Sequence, residues 1–137
     1  MLKDGIVENV CFGSDSMPDL DKVKTALRQA GLEDFIEDCE TRQIGEEGYR
    51  ISEGQKQRLM LARAIYRRSS ILLLDEITAN LDSHNTQIII QTVKTLKNAG
   101  HTIILTSHNQ EVANIADLYC NFRDRQIFIN EYSKSDS

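Results

Sequence analysis

Two neighbouring segments constrain this chain more than anything else in it: Ile51-Ser-Glu-Gly-Gln-Lys-Gln-Arg58 and Ile71-Leu-Leu-Leu-Asp-Glu-Ile-Thr-Ala-Asn-Leu-Asp82. The first reads as a helix start. Ser52 and Gln55 fit a capping box, in which a serine side chain bonds the N3 amide and a glutamine reaches back to the cap. Gly54 would let a ligand approach the backbone closely. Free amides at a helix N-terminus attract anions, phosphate above all. The second segment is a short apolar run ending in two carboxylates. It reads as a buried strand that delivers Asp75 and Glu76 to its C-terminal edge, where open α/β sheets place ligands.

Around these segments the periodicity divides the chain. Residues 1–15 read as irregular, with Gly5 and Gly13 as breakers and Asn9 and Asp15 as turn formers. Pro18-Asp19 opens a helix whose apolar positions Leu20, Val23, Leu27 and Ala30 follow helical spacing, and Gly31 suits its C-terminal cap. A short helix is expected over Glu33–Cys39, then a glycine-punctuated loop at Ile44-Gly-Glu-Glu-Gly-Tyr49. The Ser52 helix should run to Arg67, burying Leu59, Ala62 and Tyr66 and leaving Lys56, Arg63 and Arg67 solvated. After the Ile71–Leu74 strand come a helix over Asn85–Asn98, ended by Gly100, and a β-branched strand over Thr102–Thr106. Ser107-His108-Asn109 follows that strand. A short helix over Glu111–Ala116 and strands over Leu118–Phe122 and Ile127–Ile129 complete the pattern, before a polar tail. Strands alternating with helices imply a largely parallel sheet. The division is a helical lobe over 1–70, an α/β lobe over 71–132 and a tail over 133–137.

Composition excludes several classes. Net charge is −5 over 137 residues, which gives no ground for nonspecific nucleic-acid binding. The three cysteines, Cys11, Cys39 and Cys120, are widely spaced, forming neither a zinc pattern nor a disulfide framework, and fit a reducing cytosolic setting. No stretch approaches the ~18 apolar residues of a membrane span, and no signal-peptide pattern opens the chain. His84 and His101 belong to no motif and read as surface residues, while Tyr49, Tyr119 and Phe122 read as packing residues.

The ordered motifs resemble those of ATP-binding cassette (ABC) ATPases of exporter type. Ile51-Ser-Glu-Gly-Gln-Lys-Gln-Arg58 is similar to their signature, Ile71–Glu76 to their Walker B strand, Ala79-Asn-Leu-Asp82 to their D-loop, and His108 to their switch histidine. Gly5-Ile-Val-Glu-Asn-Val10 resembles the segment after their Q-loop. The resemblance spans nearly the whole chain but only the C-terminal part of a cassette. No phosphate-loop motif occurs, since none of the seven glycines precedes a lysine. The implied fold is a P-loop NTPase-like α/β fragment: the helical subdomain plus the C-terminal half of the parallel-sheet core, without the Walker A half. An exposed sheet in such a fragment is expected to make it marginally stable or self-associating.

The resemblance also implies roles. Asp75 holds Mg²⁺, Glu76 polarises the attacking water, and His108 contacts the γ-phosphate of ATP. Ser52, Gly54 and Gln55 complete the ATP site of the opposite subunit in a head-to-tail dimer of cassettes, and Asp82 lies at that dimer interface. A transmembrane domain is the other partner, with the cassette on the cytoplasmic side of the membrane and ATP hydrolysis powering transport. The fragment by itself is expected not to be a competent ATPase. Two rival readings are a soluble, non-transport ABC ATPase and a non-catalytic regulatory module without a phosphate loop. Glu53 departs from the family's signature glycine: its carboxylate suits the helix dipole yet opposes a triphosphate brought to the same amides.

Overall fold

A computed structural model describes residues 5–14, 17–45, 50–123 and 126–131. Asp15, Tyr49 and most of its glycine-punctuated loop, the turn at 124–125, the Phe122 side chain and the polar tail lie outside the described residues. The first half is helical: α1 (Ile6–Cys11), α2 (Leu20–Gln29), one 3₁₀ turn (Glu33–Phe35) and α3 (Glu53–Tyr66). The second half runs β1 (Ile71–Asp75), α4 (Ser83–Asn98), β2 (Thr102–Thr106), α5 (Gln110–Ala113), β3 (Leu118–Arg123) and β4 (Gln126–Glu131).

The helical half follows its sequence pattern with three corrections. α2 begins where expected, with the Asp19 side chain accepting from the Lys22 amide at 3.2 Å. Gly31, just past its end, adopts φ +68°, a conformation that favours glycine. The stretch before it is not irregular, because α1 occupies it. Ile6, Val7, Val10 and Cys11 are buried there. A helix this short is marginal in isolation and forms because its apolar face packs against α2 and α3. Asn9 is therefore a buried helix residue and not a turn former; its side-chain amide donates to Gly5 O at 3.0 Å. The second helix expected over Glu33–Cys39 contracts to the 3₁₀ turn and the turns after it, which bury Phe35 and Cys39.

Arg63 is the third correction. It does not lie on a solvated face: its Nε donates to Asn9 O at 2.8 Å, and its guanidinium sits 5.0 Å from the centroid of the Phe12 ring. The arginine thus satisfies a carbonyl near the end of α1 that has no further turn to bond, and it ties α1 to α3. Arg67 is exposed, as expected.

One core runs through both halves. Ile6, Val23, Leu27, Phe35, Leu59 and Leu61 cluster with Ile77, Ile89 and Val93 from beyond residue 70. The strands β1 and β2 pair in parallel, with Ile71 opposite Thr102 and Asp75 opposite Thr106. Alternation sends Leu72 and Leu74, with Ile103 and Leu105, toward the core. The other face is bare: Leu73 is 75 % exposed, and Ile71 and Ile104 are also exposed. That uncovered apolar face is the physical ground for the expected self-association, since parallel strands are ordinarily covered on both sides. The β3–β4 pair is antiparallel and forms a separate hairpin.

Connections around the strands are short and anchored. Gly100 closes α4 with φ +92°. His101, expected at the surface, is half-buried, and its Nδ1 lies 2.8 Å from Ser69 O. A carbonyl only accepts, so this ring nitrogen carries the proton. The bond holds the starts of β1 and β2 together. The helix expected over Glu111–Ala116 is the shorter α5, whose Asn109 cap accepts from the Glu111 amide at 2.8 Å.

Candidate functional site

The residues singled out in the sequence fall into two clusters. The first stands at the C-terminal ends of β1 and β2. Asp75 is the last residue of β1, and Glu76 follows it in the left-handed region at φ +46°. Non-glycine residues pay for that backbone conformation, so it persists only where neighbouring contacts impose it. Here the contacts come from Thr106: the Glu76 amide donates to Thr106 O at 3.2 Å and to Thr106 Oγ1 at 3.0 Å. The Thr106 hydroxyl in turn donates to Asp75 Oδ1 at 2.6 Å. His108 stands beyond β2 with its side chain 93 % exposed, and its Nε2 lies 3.1 Å from Glu76 Oε1. A carboxylate accepts, so the ring nitrogen is the donor. Behind it Ser107 Oγ accepts from the Asn109 amide at 3.0 Å and lies 3.4 Å from Thr78 Oγ1. Asp75, Glu76 and His108 are thus brought together by strand pairing, as their positions after two apolar strands predict. Thr106 joins them, and nothing in the linear pattern marks it beyond its place at a strand end.

The second cluster is the start of α3. The capping box forms as expected: Gln55 N donates to Ser52 Oγ at 3.2 Å, and Ser52 N donates to Gln55 Oε1 at 2.8 Å. The amides of Glu53 and Gly54 precede the first amide bonded within the helix, that of Lys56 to Ser52 O at 3.0 Å, and have no intrahelical acceptor. The Glu53 carboxylate pairs with Lys56 Nζ at 3.0 Å on the same helix.

Gly54 also has a packing reason that the linear pattern does not show. It is buried, and a Cβ placed there would lie 2.7 Å from Asn85 Oδ1 and 2.8 Å from Asn85 Cγ. The space beside Gly54 is filled by Asn85 of α4.

Asn85 is the hinge-pin of this cluster. Its amide and its side chain donate to Asp82 Oδ1 and Oδ2, both at 2.8 Å. Asp82 is therefore the N-cap of α4, and these bonds, the backbone one foremost, hold its carboxyl below the usual range. Arg58 locks the arrangement: Nη1 donates to Gly31 O at 2.6 Å and Nη2 to Asn85 Oδ1 at 3.3 Å. Burial pulls the Arg58 guanidinium below its ordinary pKa, against the opposing pull of Asp34, Glu33 and Asp82. Arg58 and Asn85 were not legible as partners because 27 residues separate them. Among the described residues no hydrogen bond or ion pair joins the two clusters.

The chemistry available differs between them. The first offers hard carboxylate oxygens, which suit a small divalent cation, beside a carboxylate–imidazole pair that can accept and donate protons. Among the described residues Asp75 Oδ2 has no hydrogen-bond partner, leaving an oxygen for a cation. No group of three or more histidine, cysteine or acidic residues forms a metal cage among the described residues, so any cation would need ligands beyond these carboxylates. The second cluster offers amides and a hydroxyl at a helix start. A groove of ≈ 1030 Å³ between α4 and the α5–β3 segment contains none of these residues.

Comparison with known proteins follows the same lines. A family model described as ABC transporter matches residues 3–79, more than half of the chain. ABC transporter B family member 22 of Arabidopsis thaliana is 36% identical over 127 residues, covering 89% of this chain and 10% of that protein. The ATP-dependent lipid A-core flippase of Paraburkholderia xenovorans is 38% identical over 121 residues, covering 85% of this chain and 20% of that protein. A solved structure of a bacterial Atm1-family ABC exporter with ATP bound superposes with a TM-score of 0.72 at 30% identity, covering 86% of this chain and 21% of that one. The chain therefore spans only a tenth to a fifth of the length of these relatives.

Proposed function

This chain belongs to the ABC transporter family, and from that premise we propose that it is the signature-to-switch part of the ATP-hydrolysing domain of an exporter. The observation that carries the reading is the convergence of Asp75, Glu76 and His108 at one sheet edge. In this reading residues 1–70 form the helical subdomain and 71–132 the α/β half of the core. Asp75 would hold Mg²⁺ through a carboxylate oxygen. Bound Mg²⁺–ATP supplies the scissile phosphoanhydride and neutralises charge on its phosphates. Glu76 accepts the proton of the attacking water, with its Oε1 steadied by His108 Nε2. His108 is exposed enough to reach a γ-phosphate as well.

The partners we propose are a second cassette, placed head-to-tail, and a transmembrane domain with the cassette on its cytoplasmic side. Ser52, Gly54 and Gln55 then face the partner's nucleotide, and Asp82 lies at the interface. Among the described residues no helix is long and apolar enough to cross a membrane. A span in this reading therefore belongs to the rest of the transporter.

The test is ATP hydrolysis by the complete gene product reconstituted in liposomes. Mg²⁺-dependent hydrolysis is expected, and Asp75→Asn is expected to abolish the Mg²⁺ response; hydrolysis untouched by Asp75→Asn would sink the reading. A smaller effect is expected at Glu53. Because its carboxylate belongs to the first turn of α3, Glu53→Gly should raise apparent ATP affinity about two- to fivefold at low salt, the size of one charge at a helix terminus. The Lys56 pairing reduces this effect, so Lys56→Ala should lower affinity. An unchanged affinity in both variants would remove Glu53 from the site.

A further inference from the structure

The two carboxylates at the sheet edge share a neighbour that belongs to neither motif. We infer that Thr106 is a positioning residue for both: one hydroxyl orients Asp75, and the same hydroxyl with the adjoining carbonyl holds the Glu76 backbone. This rests on the reading of Asp75 and Glu76 just proposed and adds to it the residue that sets their geometry.

The bonding pattern allows one assignment of protons. The Glu76 amide can only donate, so Thr106 Oγ1 accepts from it at 3.0 Å. The hydroxyl's single proton is then free for Asp75 Oδ1 at 2.6 Å, the short distance of a bond to an ionised acceptor. The parallel register makes this possible by placing Thr106 directly opposite Asp75. A residue further along either strand could not serve both groups.

The same residue answers the strain at Glu76. Its φ of +46° is held by two acceptors on one residue, Thr106 O and Oγ1. Both groups are exposed, where hydrogen bonds add little to stability. The arrangement is therefore better explained by geometry than by stability. With Oδ1 tied to Thr106, Asp75 presents Oδ2 to a cation from a fixed rotamer.

The experiment compares Thr106→Val, which keeps the shape and loses the hydroxyl, with Thr106→Ser, which keeps the hydroxyl. It uses the complete gene product. In the metal-free, nucleotide-free protein, hydrogen exchange of the Glu76 amide is expected to speed up about 2–10-fold in Thr106→Val, the range of one lost hydrogen bond. The Mg²⁺ concentration for half-maximal ATP hydrolysis should rise by a similar factor, and Mn²⁺ binding should weaken in step. Thr106→Ser should return all three to near the parent values. Wild-type behaviour of Thr106→Val, or a Thr106→Ser as impaired as Thr106→Val, overturns the inference. Asp75→Asn separates the two levels. If Asp75→Asn shifts the Mg²⁺ response and Thr106→Val does not, only the role of Thr106 falls. If Asp75→Asn has no effect either, the cation site falls with it.

Discussion

Glu76→Gln is expected to lower ATP hydrolysis by the complete protein about 10²–10⁴-fold, the usual contribution of a positioned general base. The amide keeps the shape and can still meet His108, but it cannot take a proton from water. Glu76→Gly should lose as much activity and do the opposite to stability. Glu76 holds φ +46°, and a side chain in that region costs about 1–2 kcal/mol relative to glycine. Glycine's greater freedom in the unfolded chain returns about half of that. The ion pair with His108 is exposed and contributes little. The net expectation is a gain of about 0.5–1 kcal/mol, read as a higher midpoint in thermal unfolding. A variant that is inactive and more stable than its parent marks strain stored at a functional residue. A destabilised Glu76→Gly would show instead that the side chain earns its conformation through contacts, and the strain argument would fail.

The second large effect is expected at Gly54. Any Cβ there meets Asn85 at 2.7–2.8 Å, closer than side chains pack, so either the Asn85 side chain gives up its bonds to Asp82 and Arg58 or α3 shifts against α4. Gly54→Ala should destabilise the protein by about 1–3 kcal/mol, the range for overpacking a filled site. Asn85→Ala removes the colliding Oδ1 and Cγ. The double variant should therefore lose less than the sum of the singles, with a coupling above about 0.5 kcal/mol. The measurement is a denaturant-unfolding cycle of the four proteins. It decides between two reasons for the glycine. If Gly54 is there for close approach of a nucleotide, Gly54→Ala raises the KM for ATP and leaves stability alone. If it is there for α4, stability falls first and the coupling to Asn85 is visible.

Much of the site was legible in the linear pattern because its signals are local. A capping box needs two residues three apart, and Ser52 with Gln55 makes it. An apolar run ending in Asp75-Glu76 reads as a strand that delivers carboxylates to its end, and β1 ends there. α2, α3, α4 and both parallel strands fall within a residue or two of their periodicity. The failures were equally physical. α1 was hidden between two glycines, although Ile6, Val7, Val10 and Cys11 carry helical spacing; six residues do not make a helix without a surface to pack on. Arg63 looked like one charge on a polar face, because the carbonyl that it bonds belongs to a segment 54 residues earlier. His101 matched no motif, yet it pins two strand starts.

From sequence alone came the family, the order of elements after α1 and the candidate site residues: Ser52, Gly54, Gln55, Asp75, Glu76, Asp82 and His108. Each is announced by its near neighbours, within the reach of one turn or one strand. Only the tertiary structure decided what holds them. Parallel register set Thr106 across from Asp75, and helix packing put Asn85 against Gly54 and Arg58 against Gly31. Such contacts depend on how elements far apart in the chain are brought together, and a hydroxyl or a guanidinium carries no mark of its distant partner until the core has closed around both.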